Sequence, residues 1–322
     1  MNGGVLVTGG SGFLGRAVLQ RLLDTDKHPL VAAVRSAKLN FPVDVRVEVA
    51  GELGPDTDWM NCVKGVDVVI HCAARAHVMK DKLADPLAEY RKVNVQGTLA
   101  LGKRAAQAGV QRFVFISSIK VNGDRTVPRH AFRADDVPAP HDAYGLSKLE
   151  AEQGLMSLAR ETGMEVVIIR PPLVYGPGVK GNFATIVNWI RKGIPVPLGA
   201  VYNQRSLIAL DNLVDFIALC ADRERSPPAA NEVFLVCDGE EISTTELLRR
   251  VGMAYGVKTR LMPMPLQWIR TTANLMGKGD VADRLLGSLV IDASKARNFL
   301  GWMPITSMDE QLKKMAQYDA LA

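Results

Sequence analysis

The chain is predicted to be an α/β protein, a doubly wound parallel sheet followed by a smaller, mostly helical C-terminal domain. Three observations carry that reading. Apolar strand-like runs alternate with helix-period segments through the first half, which is the pattern of parallel βαβ units. The first run leads directly into a glycine-rich turn that opens a helix. After "RPPLVYGPGVKG" the alternation stops, and Pro195, Pro197, Pro227, Pro228, Pro263 and Pro265 break the chain into shorter pieces.

Taken in order, Val5–Thr8 reads as the first strand, an apolar run of the kind buried on both faces. A helix near Phe13–Leu23 follows, then a strand at Leu30–Val34. Further strands are expected at Val66–Ala73, Phe113–Ser117 and Val166–Arg170, with helices near Ala84–Ala108 and Tyr144–Thr162 between them. The domains divide as 1–178 and 179–322, with a return to the sheet expected within 205–238, around "NEVFLVCDG". At 322 residues and 48% hydrophobic content the chain is long enough for a sizeable core.

Composition narrows the function classes. The net charge of +5 comes without a Lys/Arg tract interleaved with aromatics, so nucleic-acid binding has no signature here, whereas a small anionic ligand fits the bias. No apolar run approaches the roughly 18 residues needed to span a bilayer. The first strand begins almost at Met1, leaving no room for a signal peptide. Cys62, Cys72, Cys220 and Cys237 lack paired spacing and sit in apolar surroundings, which points to reduced thiols rather than disulfides or metal ligands. A cytoplasmic protein without a metal site is expected.

The turn "TGGSGFLGR" (Thr8–Arg16) has the context of a dinucleotide-binding Rossmann fingerprint, straight after a strand and opening a helix. Its glycines fit two registers, Gly10-x-Gly12-x-x-Gly15 and Gly9-x-x-Gly12-x-x-Gly15. Either allows a tight turn, close backbone approach to a pyrophosphate, and a helix N-terminus aimed at its charge. The acid that usually binds the ribose about twenty residues on would fall near Val34, but Arg35 and Ser36 follow the strand instead. A guanidinium grips a 2′-phosphate with charge-assisted hydrogen bonds. NADP(H) is therefore favoured over NAD(H).

In "DAYGLSKLEAE", Tyr144 stands four residues before Lys148, on one face of a helix. Upstream, "FVFISSIKVNG" delivers Ser117 and Ser118 to the C-terminal edge of the sheet, where ligands bind. Serine, tyrosine and lysine then converge on a nicotinamide. Hydride addition to a ketone makes an alkoxide that needs a proton. A lysine charge about 4 Å from the phenol, at an effective dielectric near 20, offers on the order of 4 kcal/mol. That is roughly three pKa units, enough to bring a phenol from about 10 toward neutrality. The serine hydroxyl would orient the carbonyl.

With "TGGSGFLG", "VDVVIHCAA" (Val66–Ala74), "VNVQGT" (Val93–Thr98), the Ser118, Tyr144 and Lys148 trio, "RPPLVYGPG" (Arg170–Gly178) and "DASKARNFLGWMP" (Asp292–Pro304), the chain resembles the extended short-chain dehydrogenase/reductases of the NAD(P)-dependent epimerase/dehydratase group. The resemblance covers essentially the whole chain. It implies the Gly9, Gly12, Gly15 register, with Phe13, Leu14, Glu52, Leu53, Ala73, Ala74 and Pro171 around the cofactor and Asn94 as a structural asparagine. It also implies Ser118, Tyr144 and Lys148 as the catalytic set. The substrate class is a nucleotide-diphosphate sugar, with His77, Lys120, Asn182, Arg205 and Arg284 toward it. His71 and His77 are expected to be structural rather than catalytic, and a homodimer is common in the group.

Two departures separate the chain from UDP-galactose 4-epimerases, namely Val34 in place of an acid and "VNG" (Val121–Gly123) in place of "VYG". "SSIKVNG", "HVMKD" and "EYRKVNVQGT" are most similar to the 4-ketoreductases that make UDP-N-acetylquinovosamine from UDP-4-keto-6-deoxy-N-acetylglucosamine, enzymes of bacterial surface-polysaccharide synthesis. The alternatives are a UDP-hexose 4-epimerase with tightly bound NAD and, more remotely, a non-catalytic NADP(H) sensor. A sensor would be expected to lack the tyrosine or the lysine.

Overall fold

A computed structural model describes residues 3–25, 28–36, 41–76, 85–277 and 279–321. Its strands are β1 (Gly4–Thr8), β2 (Leu30–Val34), β3 (Val45–Val49), β4 (Val66–His71), β5 (Arg112–Ile116), β6 (Glu165–Arg170), β7 (Leu173–Tyr175), β8 (Arg205–Ala209), β9 (Glu232–Leu235) and β10 (Glu241–Ile242). The helices are α1 (Phe13–Thr25), α2 (Pro86–Tyr90), α3 (Thr98–Gln107), α4 (Ala143–Thr162), α5 (Gly181–Arg191), α6 (Leu210–Ala221), α7 (Thr244–Ala254), α8 (Leu266–Leu275), α9 (Gly279–Leu286), α10 (Ser294–Leu300) and α11 (Met308–Leu321). A π-helical segment, Arg91–Gly97, joins α2 to α3.

Seven strands form one parallel sheet in the order β3-β2-β1-β4-β5-β6-β9. The order reverses between β1 and β4, so the ligand crevice of such a sheet lies beyond their C-terminal ends. Both faces are covered. Val5, Val7, Val68, Ile70, Val114 and Ile116 pack against α1 and α6, while Leu6, Val69, Phe113 and Phe115 pack against α3 and α4. Burial on both sides explains why these strands read as unbroken apolar runs. β9 supplies the expected return to the sheet. β10, β8 and β7 form a separate three-stranded sheet, and the second lobe is otherwise mostly helical, as expected, with α5 to α11. The strands of the small sheet are too short to show a period.

Two strand ends differ from expectation. β4 stops at His71 and not Ala73, and β5 stops at Ile116, one residue before Ser117. At both places the chain leaves the ladder to form a loop at the crevice.

Helix α4 is fastened at both ends. Asp142 caps its N-terminus by accepting from Gly145 N at 2.7 Å, and Gly163, at φ 77°, closes its C-terminus in the left-handed conformation. Along its sheet-facing side run Tyr144, Lys148 and Glu152, four residues apart. Glu152 forms a buried ion pair with Arg170 of β6, Nη2 to Oε2 at 2.6 Å and Nε to Oε1 at 3.0 Å. Arg170 Nη1 also donates to Asn122 Oδ1 at 2.9 Å, and the Ser117 hydroxyl donates to Glu152. Each charge is thereby surrounded by hydrogen-bond partners, the condition under which buried ions are tolerated.

Removing one member of this pair strands the other. Arg170→Met should cost about 3–5 kcal/mol in urea unfolding, and Arg170→Met with Glu152→Met should recover most of that loss. A single-variant loss near the surface-pair level of about 1 kcal/mol would show that the pair is not desolvated. Lys148 gives a second expectation. Burial lowers its pKa from 10.5 to about 8, against the raising influence of Glu152 and Cys72. Between pH 8 and 10.5 the unfolded chain keeps a proton that the folded chain has released, so stability rises with pH across that window. Relative to Lys148→Met, the wild type should gain on the order of 3 kcal/mol over this range. A flat difference would mean that Lys148 reaches water.

Candidate functional site

The loop after β1 cannot carry side chains at its glycines. Gly9 lies at φ 67°, and a Cβ there would meet Ala73 N at 2.9 Å. A Cβ on Gly15 would stand 2.2 Å from Gly9 O, and Gly12 N donates to Gly9 O at 2.8 Å. These contacts press the turn against the loop after β4 and bring α1, opening at Phe13 and Leu14, to the edge of the crevice. The first-turn N–H groups of a helix have no intrahelical acceptor and favour negative charge. The donor set suits a dinucleotide pyrophosphate, and a side chain is most strongly excluded at Gly9, by its left-handed φ, and at Gly15.

Thr8 and His71 hold the neighbouring strand ends together. The His71 ring bridges Thr8 Oγ1, 2.6 Å from Nδ1, and Thr98 Oγ1, 2.9 Å from Nε2, while Ala73 N donates to Thr8 Oγ1 at 3.2 Å. Burial and the Lys148 charge push the His71 pKa down to about 3, so the ring is neutral. It is a hydrogen-bonded core histidine, as its surroundings suggested. Ala73 and Ala74 lie on the half-buried loop. Asn94, inside the π-helical segment, accepts from Arg75 N at 2.8 Å and donates to Arg75 O and Ser147 Oγ at 3.1 and 3.0 Å. Ser147 Oγ in turn donates to Tyr144 O at 2.8 Å. A single asparagine thus ties the loop after β4 to the first turn of α4.

The two serines of "ISSIK" separate cleanly. Ser117 is buried and bound to Glu152. Ser118 is partly exposed, caps the short helix Ile119–Val121, and hydrogen-bonds the Tyr144 phenol. Ile119 N donates to Pro171 O at 3.0 Å, which sets this turn against the end of β6. α4 comes equally close, because a Cβ on Gly145 would meet Lys120 O at 2.7 Å. The glycine after Tyr144 is what lets the phenol approach Ser118.

The electrostatics differ from the expected tuning of tyrosine by lysine. Lys148 Nζ donates to Ile116 O at 2.8 Å and lies 4.4 Å from the centroid of the Phe115 ring. The Tyr144 phenol has its pKa pushed upward, first by burial, then by Asp142 and Tyr90, with Ser118 opposing. The phenol is a firmly protonated donor here, and it does not lie near neutrality as the sequence suggested. The first reason is burial of the phenol; the second is that a carboxylate, Asp142, sits at the helix start while the lysine is turned toward the sheet.

The remaining residues divide. Arg35 is 75% exposed and pairs with Glu52 at 3.7 Å, which brings a carboxylate into the region where a phosphate was expected. Ser36 follows it beyond β2, and Leu53 lies against Gly97 of the π-helical segment. Lys120 Nζ is held by Asp124 Oδ1 at 3.1 Å and by Asp142, so its charge braces the cap of α4. Arg205 Nη1 donates to the carbonyls of Arg284 and Gly287, the latter at 3.0 Å, at the C-terminal end of α9. Arg205 and Arg284 are thus neighbours, with the Arg284 side chain exposed. Asn182 is in the first turn of α5, and its side chain lies outside the described residues, as does His77.

Sequence reasoning missed the roles of Asp142, Glu152 and Asn122. The signal for Glu152 was its place four residues beyond Lys148, and for Asp142 its place three residues before Gly145. Asn122, in the "VNG" segment, donates to Arg133 O at 2.8 Å and accepts from Arg170. The departure from "VYG" is therefore part of the buried ion-pair network.

Comparison with known proteins agrees with this architecture. A UDP-glucose 4-epimerase from Vibrio cholerae is 46% identical over 314 residues, covering 97% of this chain and 94% of that one. Among solved structures, the UDP-glucose 4-epimerase of Thermotoga maritima with UDP-glucose superposes with a TM-score of 0.78 at 23% identity, over 99% of both chains. The UDP-glucuronic acid 4-epimerase of Bacillus cereus in complex with NAD gives 0.80 at 20% identity, over 98% of both. The profile of the NAD dependent epimerase/dehydratase family matches residues 5–237, and the chain belongs to that family.

Proposed function

We propose that the protein reduces the C4 ketone of a nucleotide-diphosphate sugar, as a cytoplasmic step in the synthesis of bacterial surface-polysaccharide sugars. The observation that carries this reading is the protonated, half-buried Tyr144 hydrogen-bonded to Ser118 at the C-terminal edge of the sheet. The glycine turn after β1 and the loop after β4 would hold a nicotinamide cofactor, whose chemistry would be hydride donation to the carbonyl carbon. Ser118 Oγ donates a hydrogen bond to the carbonyl oxygen and orients it. As charge develops on that oxygen, Tyr144 Oη gives up its proton, and the product is the alcohol. A phenol whose pKa is held high stays protonated until the alkoxide forms, which suits the reductive direction. Lys148 keeps a positive charge close to the reacting centre at and below its pKa of about 8. In the second lobe, Arg205, Arg284 and Asn182 are the candidates for the diphosphate.

UDP-4-keto-6-deoxy-N-acetylglucosamine is the substrate favoured by the resemblance of the "SSIKVNG" segment to the 4-ketoreductases. NADP(H) is favoured by Arg35 in place of an acid, since a net reductase consumes its cofactor at every turn. A second reading, a UDP-hexose 4-epimerase retaining NAD, is supported by the name of the Vibrio cholerae relative, by the NAD in the Bacillus cereus structure, and by Glu52 beside Arg35. The two readings differ in one respect, because an epimerase returns the hydride it took and consumes nothing.

With a panel of 4-keto nucleotide sugars, the purified protein should oxidise NADPH in step with product and should barely interconvert UDP-glucose and UDP-galactose. Tightly bound NAD with epimerisation and no cofactor consumption would establish the second reading instead. Tyr144→Phe should keep its fold and cofactor affinity while turnover falls by about 10²–10⁴-fold. Near-wild-type turnover at saturating substrate would assign the proton to another group. Arg35→Asp should lower the preference for NADPH over NADH by about tenfold, a modest figure because the guanidinium is exposed and already paired. Equal wild-type affinities for the two cofactors would remove the role given to Arg35.

A further inference from the structure

Charge is unevenly placed along the chain. From Leu247 to Gly279 there is no aspartate or glutamate, while Arg249, Arg250, Lys258, Arg260, Arg270 and Lys278 give the stretch a positive charge larger than the net +5 of the whole protein. Arg249 and Arg250 pair with Glu246 and Glu240, and Arg270 pairs with Asp283. Lys258 and Arg260 are exposed on the segment entering α8.

The same stretch exposes large apolar side chains. On α8, Ile269 and Ala273 pack against the core of the second lobe. Its outer face carries Trp268, 67% exposed, and one helical repeat later Leu275, 83% exposed, followed by Met276 at 68%. Thr271 and Thr272, between them, donate their hydroxyls to the helix's own carbonyls, Gln267 O at 2.9 Å and Trp268 O at 2.8 Å. Those hydroxyls keep their hydrogen bonds when water is withdrawn, so the face loses little on leaving it. Apolar residues exposed together in this way mark an interaction surface.

We propose that α8 docks the protein onto an anionic lipid surface. The complementarity is that of interfacial helices, with tryptophan and leucine reaching the acyl boundary and basic residues meeting the headgroups. No helix among the described residues is long and apolar enough to cross a membrane, so the mode is lying on the surface. Docking there turns the second lobe toward the bilayer, with Arg284 on the adjoining α9 and Arg205 of β8 bonded to the end of that helix. The proposal does not depend on whether the reaction is reduction or epimerisation.

The test is co-sedimentation of the full chain with phosphatidylcholine vesicles, with and without phosphatidylglycerol. The wild type should bind the anionic vesicles at least about tenfold more than the neutral ones, and added salt should weaken binding. Trp268→Ser with Leu275→Ser should reduce binding by about tenfold with the circular dichroism and melting midpoint unchanged, and Lys258→Glu with Arg260→Glu should do likewise. No binding by the wild type, or equal binding by the variants, overturns the proposal. So does light scattering that shows the wild type self-associated and the Trp268/Leu275 variant monomeric, since the face would then be a seam between copies.

Discussion

The Glu152–Arg170 ion pair is the contact on which the arrangement of the site depends. It joins α4 to β6 beneath the C-terminal edge of the sheet, and it draws in Ser117 from the end of β5 and Asn122 from the turn beyond. Because Ser117 is committed to Glu152, Ser118 is the serine left facing the crevice. Because Glu152 is fixed, Lys148 and Tyr144, one and two helical turns before it, are held at set depths in the same groove. Lys148 meets the Ile116 carbonyl and Tyr144 meets Ser118. A buried pair of this kind adds little net stability compared with a well-packed apolar substitute. Its effect is on position.

The opposite pKa directions of Tyr144 and Lys148 follow from one cause. Burial disfavours charge on either side chain, so the phenol is harder to ionise and the amine easier to deprotonate. Asp142 strengthens the effect on the tyrosine, and Lys120 holds Asp142 in place as the cap of α4. The helix cap is therefore also an electrostatic neighbour of the reacting group. Burial, with Asp142 adding to it, sets the sign on the tyrosine, and neither is visible in the Tyr144–Lys148 spacing.

Much of this was legible in the residues. The alternation of apolar runs, the glycine turn and the Tyr–Lys spacing led to the parallel sheet, the crevice and the convergence of Ser118 with Tyr144, because those features follow from local periodicity and from fixed topological rules. The small sheet of β7, β8 and β10 was not legible, since strands of two to five residues have no period to detect. Nor was the pairing of Arg35 with Glu52 or the bracing of Asp142 by Lys120, as both join segments whose proximity depends on the folded loops. The difference between Ser117 and Ser118 needed the partner, Glu152, which is 35 residues from Ser117 in sequence.

The central claim is that Ser118, Tyr144 and Lys148 frame a hydride transfer between a nicotinamide and a sugar carbon. Its most direct test follows a label: NADPH deuterated at the transferring position of the nicotinamide C4 is incubated with a UDP-4-keto-6-deoxy sugar, and the product is analysed by mass spectrometry and NMR. The account predicts deuterium on C4 of the product sugar, in proportion to the cofactor oxidised. Product carrying solvent hydrogen at that carbon, or deuterium retained wholly on the cofactor while product accumulates, would contradict it.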